Sequence, residues 1–354
     1  MRRDTSLDGR RVVRLSNGLQ IALGDLMAGT ALVIAVLSLA VLSAAIGATD
    51  IPFTEIFRGV FGGPIDATHS YALWDVRLPR IFLAFLVGWS VALAGAMLQS
   101  IARNPLADPG LFGLSQGSVV TIMLLLVLMP AVSKPMIALA AMGGAFFVAL
   151  SLIWLVGGER SSGLAILLMG IAVETVLSSV SSVLLLYTPP EVSVSLGEWV
   201  AGSLFQSSWP LVAVYSPLLL LSLLGLFFAG PRIATYDLGN DMARALGEPI
   251  SWSRPVILLF AVVLSAAAVT AAGPLSFLGV LAPQIVGFIT PATGRTRLLL
   301  SGIVGGFLVM AADALARGIG GDIPMPIGLG LALVGVPIFI LILRLQALRK
   351  LRAH

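Results

Sequence analysis

The chain contains no cysteine and only two histidines, His69 and His354, which lie far apart. The first absence removes disulfides, thiol nucleophiles and cysteine-based metal sites. The second argues against a histidine-rich metal or haem site within this subunit, and no metal ligands are assigned. Charge is scarce as well: 11% of residues are charged, where a soluble domain carries about 25%. Lysine is nearly missing. Lys134 follows Ser133 and Lys350 follows Arg349, so there is no Gly-Lys-Ser/Thr loop to wrap a nucleotide phosphate. The chain is therefore not expected to hydrolyse ATP by itself.

What remains is apolar. Of 354 residues, 58% are hydrophobic, and runs of about 20 such residues are long enough to cross the ~30 Å hydrocarbon core as helices. About ten are present, at 22–47, 79–100, 111–129, 136–157, 163–187, 210–230, 254–272, 276–290, 298–316 and 327–346. The eighth is short and rich in Gly and Pro. The first is too long for a signal-peptide core and reads as a retained span. These features predict an all-α, polytopic membrane protein with one membrane domain over 1–354, since no long linker or charge run divides it.

Cations set the expected orientation. With the N-terminus inside and the spans alternating, inner segments hold 16 of the 21 Lys and Arg, and outer segments hold Arg58, Arg77, Arg80, Lys134 and Arg317. Both ends, including the segment 1–20, are then cytoplasmic. So is "DLGNDMARALGEP" at 237–249, a polar interruption between two apolar runs. Asp237 or Asn240 is expected to cap a helix over 241–246; Gly247 suits its C′ position and Pro249 ends it. The segment reads either as a solvated loop or as a docking knob for a cytoplasmic partner.

Three other stretches carry candidate function. Arg77 and Arg80 flank Pro79 at the start of the second span, where a helix dipole disfavours cations; they read as snorkelling anchors or as a site for an acidic partner outside. "GPLSFLGVLAPQIVGF" at 273–288 breaks a span with Gly273, Pro274, Gly279 and Pro283. Such backbone survives in a bilayer only where protein or a water-filled cavity satisfies it, so the stretch is a kink or a path lining. Glu174 and Asp313 interrupt apolar runs. Asp313 and Arg317 are four apart and predict an ion pair. Glu174, with Ser178, Ser181 and Ser182, either lines a polar cavity or is protonated in packing.

"RLPR" at 77–80, "NPLADPG" at 104–110, "LGNDMARALG" at 238–247, "GPLSFLGVLAP" at 273–283 and "ADALAR" at 312–317 resemble, in this order, the permease subunits of bacterial ABC importers for iron-siderophores, haem and vitamin B12 (the FecCD-type family). The resemblance spans about 20–346. It implies a type II importer permease with ten spans in the bacterial inner membrane. Its partners would be ABC ATPase subunits, an extracytoplasmic binding protein and a second permease subunit, homo- or heterodimeric; no nucleic acid is involved. ATP and Mg would sit on the ATPase, and no cofactor on this chain. Asn240, Asp241, Arg244 and Gly247 match a coupling helix; Arg77, Arg80 and Arg317 match arginines that face the binding protein. Glu174, Ser178, Gly273, Pro274, Gly279 and Pro283 are the expected path residues. Departures are Gln284 where the family has His, Gly287 where it has Arg, and Pro324 where it has Glu. A ferric siderophore is the first expected cargo, with haem or cobalamin open. The rival from another class is a proton-coupled transporter using Glu174 and Asp313.

Overall fold

The computed structural model describes residues 2–5, 11–14, 20–47, 49–129, 132, 134–156, 163–188, 197, 199–319 and 325–352. Arg10, Ser133, Arg160, Pro324 and His354 fall outside them. The chain opens with a small antiparallel sheet, β1 (Arg2–Thr5), β2 (Arg11–Arg14) and β3 (Gln20–Ala22), with β2 in the middle. No apolar run marks these strands in the sequence of 1–20. The Arg-Val-Val-Arg alternation of β2 suits a strand, but it is too short to stand out by itself.

Helices follow. They are α1 (Leu23–Ala45), α2 (Phe53–Val60), α3 (Ala67–Tyr71), α4 (Leu78–Ala102), α5 (Leu114–Leu128), α6 (Lys134–Val156) and α7 (Gly163–Tyr187). Then come α8 (Trp209–Asp237), α9 (Asn240–Ala245), α10 (Ile250–Ala272), α11 (Leu278–Ile289), α12 (Gly294–Ile319) and α13 (Ile327–Arg352). Every predicted span corresponds to one of these. Among the described residues seven helices are long and apolar enough to cross a membrane, and three apolar ones are shorter, α11 among them. The polar segment 49–78 carries helices as well. A π-helical turn, Ala72–Arg77, joins α3 to α4. On α2, Ile56 turns inward while Phe53, Phe57 and Val60 stay exposed.

α4 is the hub. Nearly every residue of α4 from Ile81 on is buried, whereas α1 buries only Ser43 and Ala44, which places α4 inside the bundle and α1 on its outside. α4 runs antiparallel to α12 with backbones in contact: a Cβ at Gly88 would come within 2.3 Å of the Gly305 carbonyl oxygen, and one at Gly305 within 2.3 Å of Ala92 Cβ. In a bilayer, where lipid is as apolar as leucine, such close approach supplies the van der Waals contact that holds helices together.

Prolines inside helices free the carbonyl four residues earlier, and at Pro217, Pro231 and Pro283 a side chain takes the freed group. Pro217 frees Ala213, which accepts from Ser216 Oγ at 3.1 Å. Pro231 frees Phe227, which accepts from Arg295 Nε of α12 at 3.0 Å. Pro283 frees Gly279, which accepts from Gln99 Nε2 of α4 at 3.1 Å. At Pro231 and Pro283 the donor comes from a neighbouring helix, which makes the break tolerable at membrane depth.

Candidate functional site

The polar corner is built around α9. Its N-cap is Gly239 (φ +104), and Asn240 and Asp237 do not cap it. The expected capping role of those two is corrected: each points elsewhere. Asn240 Oδ1 accepts from Arg254 Nη2 at 2.9 Å, and Asp237 Oδ1 from Arg297 Nη1 at 3.3 Å. A long-range charged donor is a stronger partner than a local N–H group that Gly239 geometry leaves to solvent or helix. The C-terminal expectation is met in full. Gly247 has φ +82; its N–H donates to Arg244 O, and the Glu248 N–H donates to Ala243 O, both at 2.9 Å, which is a Schellman motif.

α9 is mounted firmly. Ala243 is fully buried, while Asp241, Met242, Arg244 and Leu246 are exposed. Asp241 and Arg244 form a 3.8 Å pair one turn apart. Beneath them Tyr236 Oη and Ser253 Oγ share a 2.8 Å hydrogen bond, Arg254 lies over the Tyr236 ring, and Arg232 approaches Glu248 at 3.5 Å. Gly239 packs on the guanidinium of Arg103 at the end of α4. Arg244, Glu248, Pro249, Ile250 and Ser251 line a shallow cleft.

Gly273, Pro274, Gly279 and Pro283 form one irregular approach to α11. Gly273 (φ +75) lies against the Trp199 carbonyl, where no Cβ would fit. Phe277 takes a left-handed conformation (φ +66) while 52% exposed; a bulky residue held there is strained, and such strain concentrates at functional segments. Gly279 meets Gly95 on one side and the Asp108–Pro109 turn on the other. Asp108 lies in the connection between α4 and α5. Its Oδ1 accepts from Gly110 N at 2.7 Å, and its buried Oδ2 faces the Gly279 and Val280 N–H groups without reaching hydrogen-bond geometry. Burial pushes its carboxyl up to about 6, opposed by those N–H groups. Gln284, the departure from His, donates to the Pro105 carbonyl at 3.2 Å.

Glu174 and Ser178, half-buried on α7, stand across the Pro109–Phe112 turn from this segment: Gly279 packs on Pro109, Gly170 on Phe112, and Gly113 on Glu174. Ser181 donates to Leu177 O at 3.0 Å and to Gln116 at 3.3 Å. The path candidates therefore share one neighbourhood but not one surface.

Arg77, Arg80 and Arg317 converge at the opposite end of α4. Asp313, 1% exposed, accepts from Arg80 Nε at 2.7 Å and from Arg317 Nε at 3.1 Å. The predicted Asp313–Arg317 pair is present, with Arg80 added. Arg317 also donates to Ser43 O at 3.2 Å and Ile46 O at 2.7 Å. Arg77, 4% exposed, donates to Ala44 O at 2.6 Å, Ala45 O at 3.0 Å and Thr49 O. All but the Thr49 carbonyl end α1 and lack helical partners, so the two arginines cap it from a distance and meet the negative end of its dipole. All three side chains are committed inside the protein.

Gln99, Asp108, Arg254 and Arg297 were missed as site residues. One signal was available for Gln99: an amide deep in an apolar run demands a partner. Among the described residues no group of three His, Asp or Glu could hold a metal ion.

Membrane-length helices surround a broken segment, with an anchored polar helix at one corner, and likeness to known proteins gives this arrangement its class, a transport permease of the ABC-importer type. The same architecture occurs in a solved inward-facing conformation described as a metal-chelate type ABC transporter (TM-score 0.79, 25% identity, 89% of this chain and 98% of that one). The chain belongs to the FecCD transport family, which matches residues 32–345. It is 30% identical over 322 residues to the Fe(3+)-citrate import system permease protein YfmE of Bacillus subtilis, covering 91% of this chain and 96% of that protein. It is 33% identical over 330 residues to the hemin transport system permease protein HmuU of Yersinia pestis, covering 90% and 96%.

Proposed function

We propose that this chain translocates a ferric siderophore across the bacterial cytoplasmic membrane by alternating access. Both termini lie inside, and two permease subunits enclose the path. Partner ATPases bind ATP and Mg and grip α9 through Asn240, Asp241, Arg244 and the Gly247 turn. An extracytoplasmic binding protein docks on the rim that Arg77, Arg80 and Arg317 brace; the internal bonds of these arginines give them the role of shaping that rim. Glu174, Ser178 and the 273–283 segment line the way through.

The observation that carries this reading is α9 itself. A six-residue helix is unstable in isolation, yet this one is closed by a Schellman motif, bonded to α10 through Asn240 and Arg254, and packed at its Gly239 N-cap on Arg103 at the end of α4, while its Asp241 and Arg244 face solvent. A rigid polar knob on a membrane bundle suits a lever that another protein pushes. The proton-coupled alternative loses support at Asp313, whose two oxygens are both taken by arginines.

Proteoliposomes holding this chain, its ATPase and its binding protein test the proposal, comparing iron-loaded siderophores with haem and cobalamin. ATP-dependent uptake of a siderophore, reduced at least about tenfold by Arg244→Glu, is the expected result. Uptake of haem or cobalamin alone changes the cargo. Uptake that ignores ATP and follows a pH gradient defeats the reading.

A further inference from the structure

Polar side chains form a continuous line from the base of α9 to the start of α11. Asp237, at the end of α8, accepts from Arg297 Nη1 at 3.3 Å. Arg297 Nη2 donates to Gln99 Oε1 at 3.2 Å, and its Nη1 also reaches Ser100 Oγ at 3.3 Å. Gln99 Nε2 donates to Gly279 O at 3.1 Å and lies 3.4 Å from Val280 O. Gln99 is 3% exposed, and among the described residues these contacts meet both ends of its amide.

The last link exists because of a proline. In a regular helix the Gly279 carbonyl would accept from the N–H of residue 283, and Pro283 has none. Gly279 and Gly95 let the backbones touch: a Cβ at Gly95 would sit 2.2 Å from the Gly279 oxygen. The Gln99 amide can therefore reach a carbonyl that α11 cannot satisfy. The opposite side of the same residue faces Asp108.

We propose that Asp237, Arg297 and Gln99 form a relay that transmits movement of the α9 corner to the broken start of α11, with Gln99 a positioning residue for the path. The inference rests on the functional reading above, in which α9 is the driven element. An arginine fork fixes direction as well as charge, and a planar amide held at both ends turns with it. Displacing α9 and the end of α8 thereby pulls on the Gly279 carbonyl. The strained Phe277 (φ +66) lies two residues before that carbonyl, so the pull arrives at a segment already held off its preferred backbone conformation.

Hydrogen exchange on the full chain in lipid nanodiscs tests the relay without transport. Asp237→Ala is expected to accelerate exchange of amides 279–282 at least threefold, and Gln99→Met at least tenfold. The double variant should exceed Gln99→Met by less than twofold, because the two act in series. Arg297→Lys, which keeps the charge but loses the fork, carries the threefold expectation should Gln99→Met fail to fold. Exchange at 279–282 unmoved by both Asp237→Ala and Arg297→Lys overturns the relay. With the partner ATPase present, Arg297→Lys should hydrolyse ATP within twofold of wild type and import at least tenfold less cargo; import within twofold of wild type overturns the transmitting role. A wild-type assembly that does not import defeats the proposed function, and the exchange result still decides the relay.

Discussion

The two ends of α4 use arginine in opposite ways. At the Arg80 end, Arg77 and Arg317 are buried donors that close the carbonyls of α1, and Asp313 balances Arg80 and Arg317. At the other end Arg244 is half-exposed on a short helix, while Arg254 holds Asn240 of that helix and Arg297 holds Asp237 at the end of α8. One end is bound inward and the other presents charge outward. The same residue type is structural where a low dielectric makes an unmet carbonyl or charge expensive, and available for partners where water surrounds it.

This contrast can be broken by substitution. Asp313→Ala should have the largest effect on stability, about 3–5 kcal/mol, because it leaves two guanidinium groups without their buried counter-charge. Thermal unfolding in a mild detergent would read it, and a loss below about 1 kcal/mol would remove the clamp from the argument. Arg77→Ala comes next at about 1.5–3 kcal/mol, the range for hydrogen bonds to a charged group, with increased protease access at 44–50 as a second readout. Gly247→Ala should lose about 1–2 kcal/mol, since alanine resists the left-handed conformation. That loss should be confined to the α9 corner, visible as faster hydrogen exchange at 240–248. Arg244→Glu should be smallest, within about 0.5 kcal/mol, as for exposed surface positions. Its signature is lost uptake in an intact protein, and a large destabilisation would move Arg244 to the structural side of the comparison.

Much of this was legible along the chain. The apolar runs located the helices, Gly247 and Pro249 marked the end of α9, and the i,i+4 spacing announced Asp313–Arg317. The N-terminal end of α9 was misread because a local capping rule competed with distant partners: Arg254 for Asn240 and Arg297 for Asp237. Arg77 and Arg80 read as snorkelling anchors or as a site for an acidic partner, since nothing in "RLPR" shows that α1 ends beside it with its carbonyls open. Asp66, by contrast, caps α3 as its position would suggest, accepting from Thr68 N at 2.9 Å.

By itself, the sequence determined a membrane bundle without a nucleotide loop, a polar helix between its spans, and a span that Gly and Pro must break. Those properties follow from composition and from spacings shorter than a few helical turns. Only the tertiary structure decided which carbonyl each arginine closes, and that Gln99 serves a proline-freed group 180 residues away. The physical reason is that burial creates the demand for a partner, and burial exists only once α4, α11 and α12 have packed together.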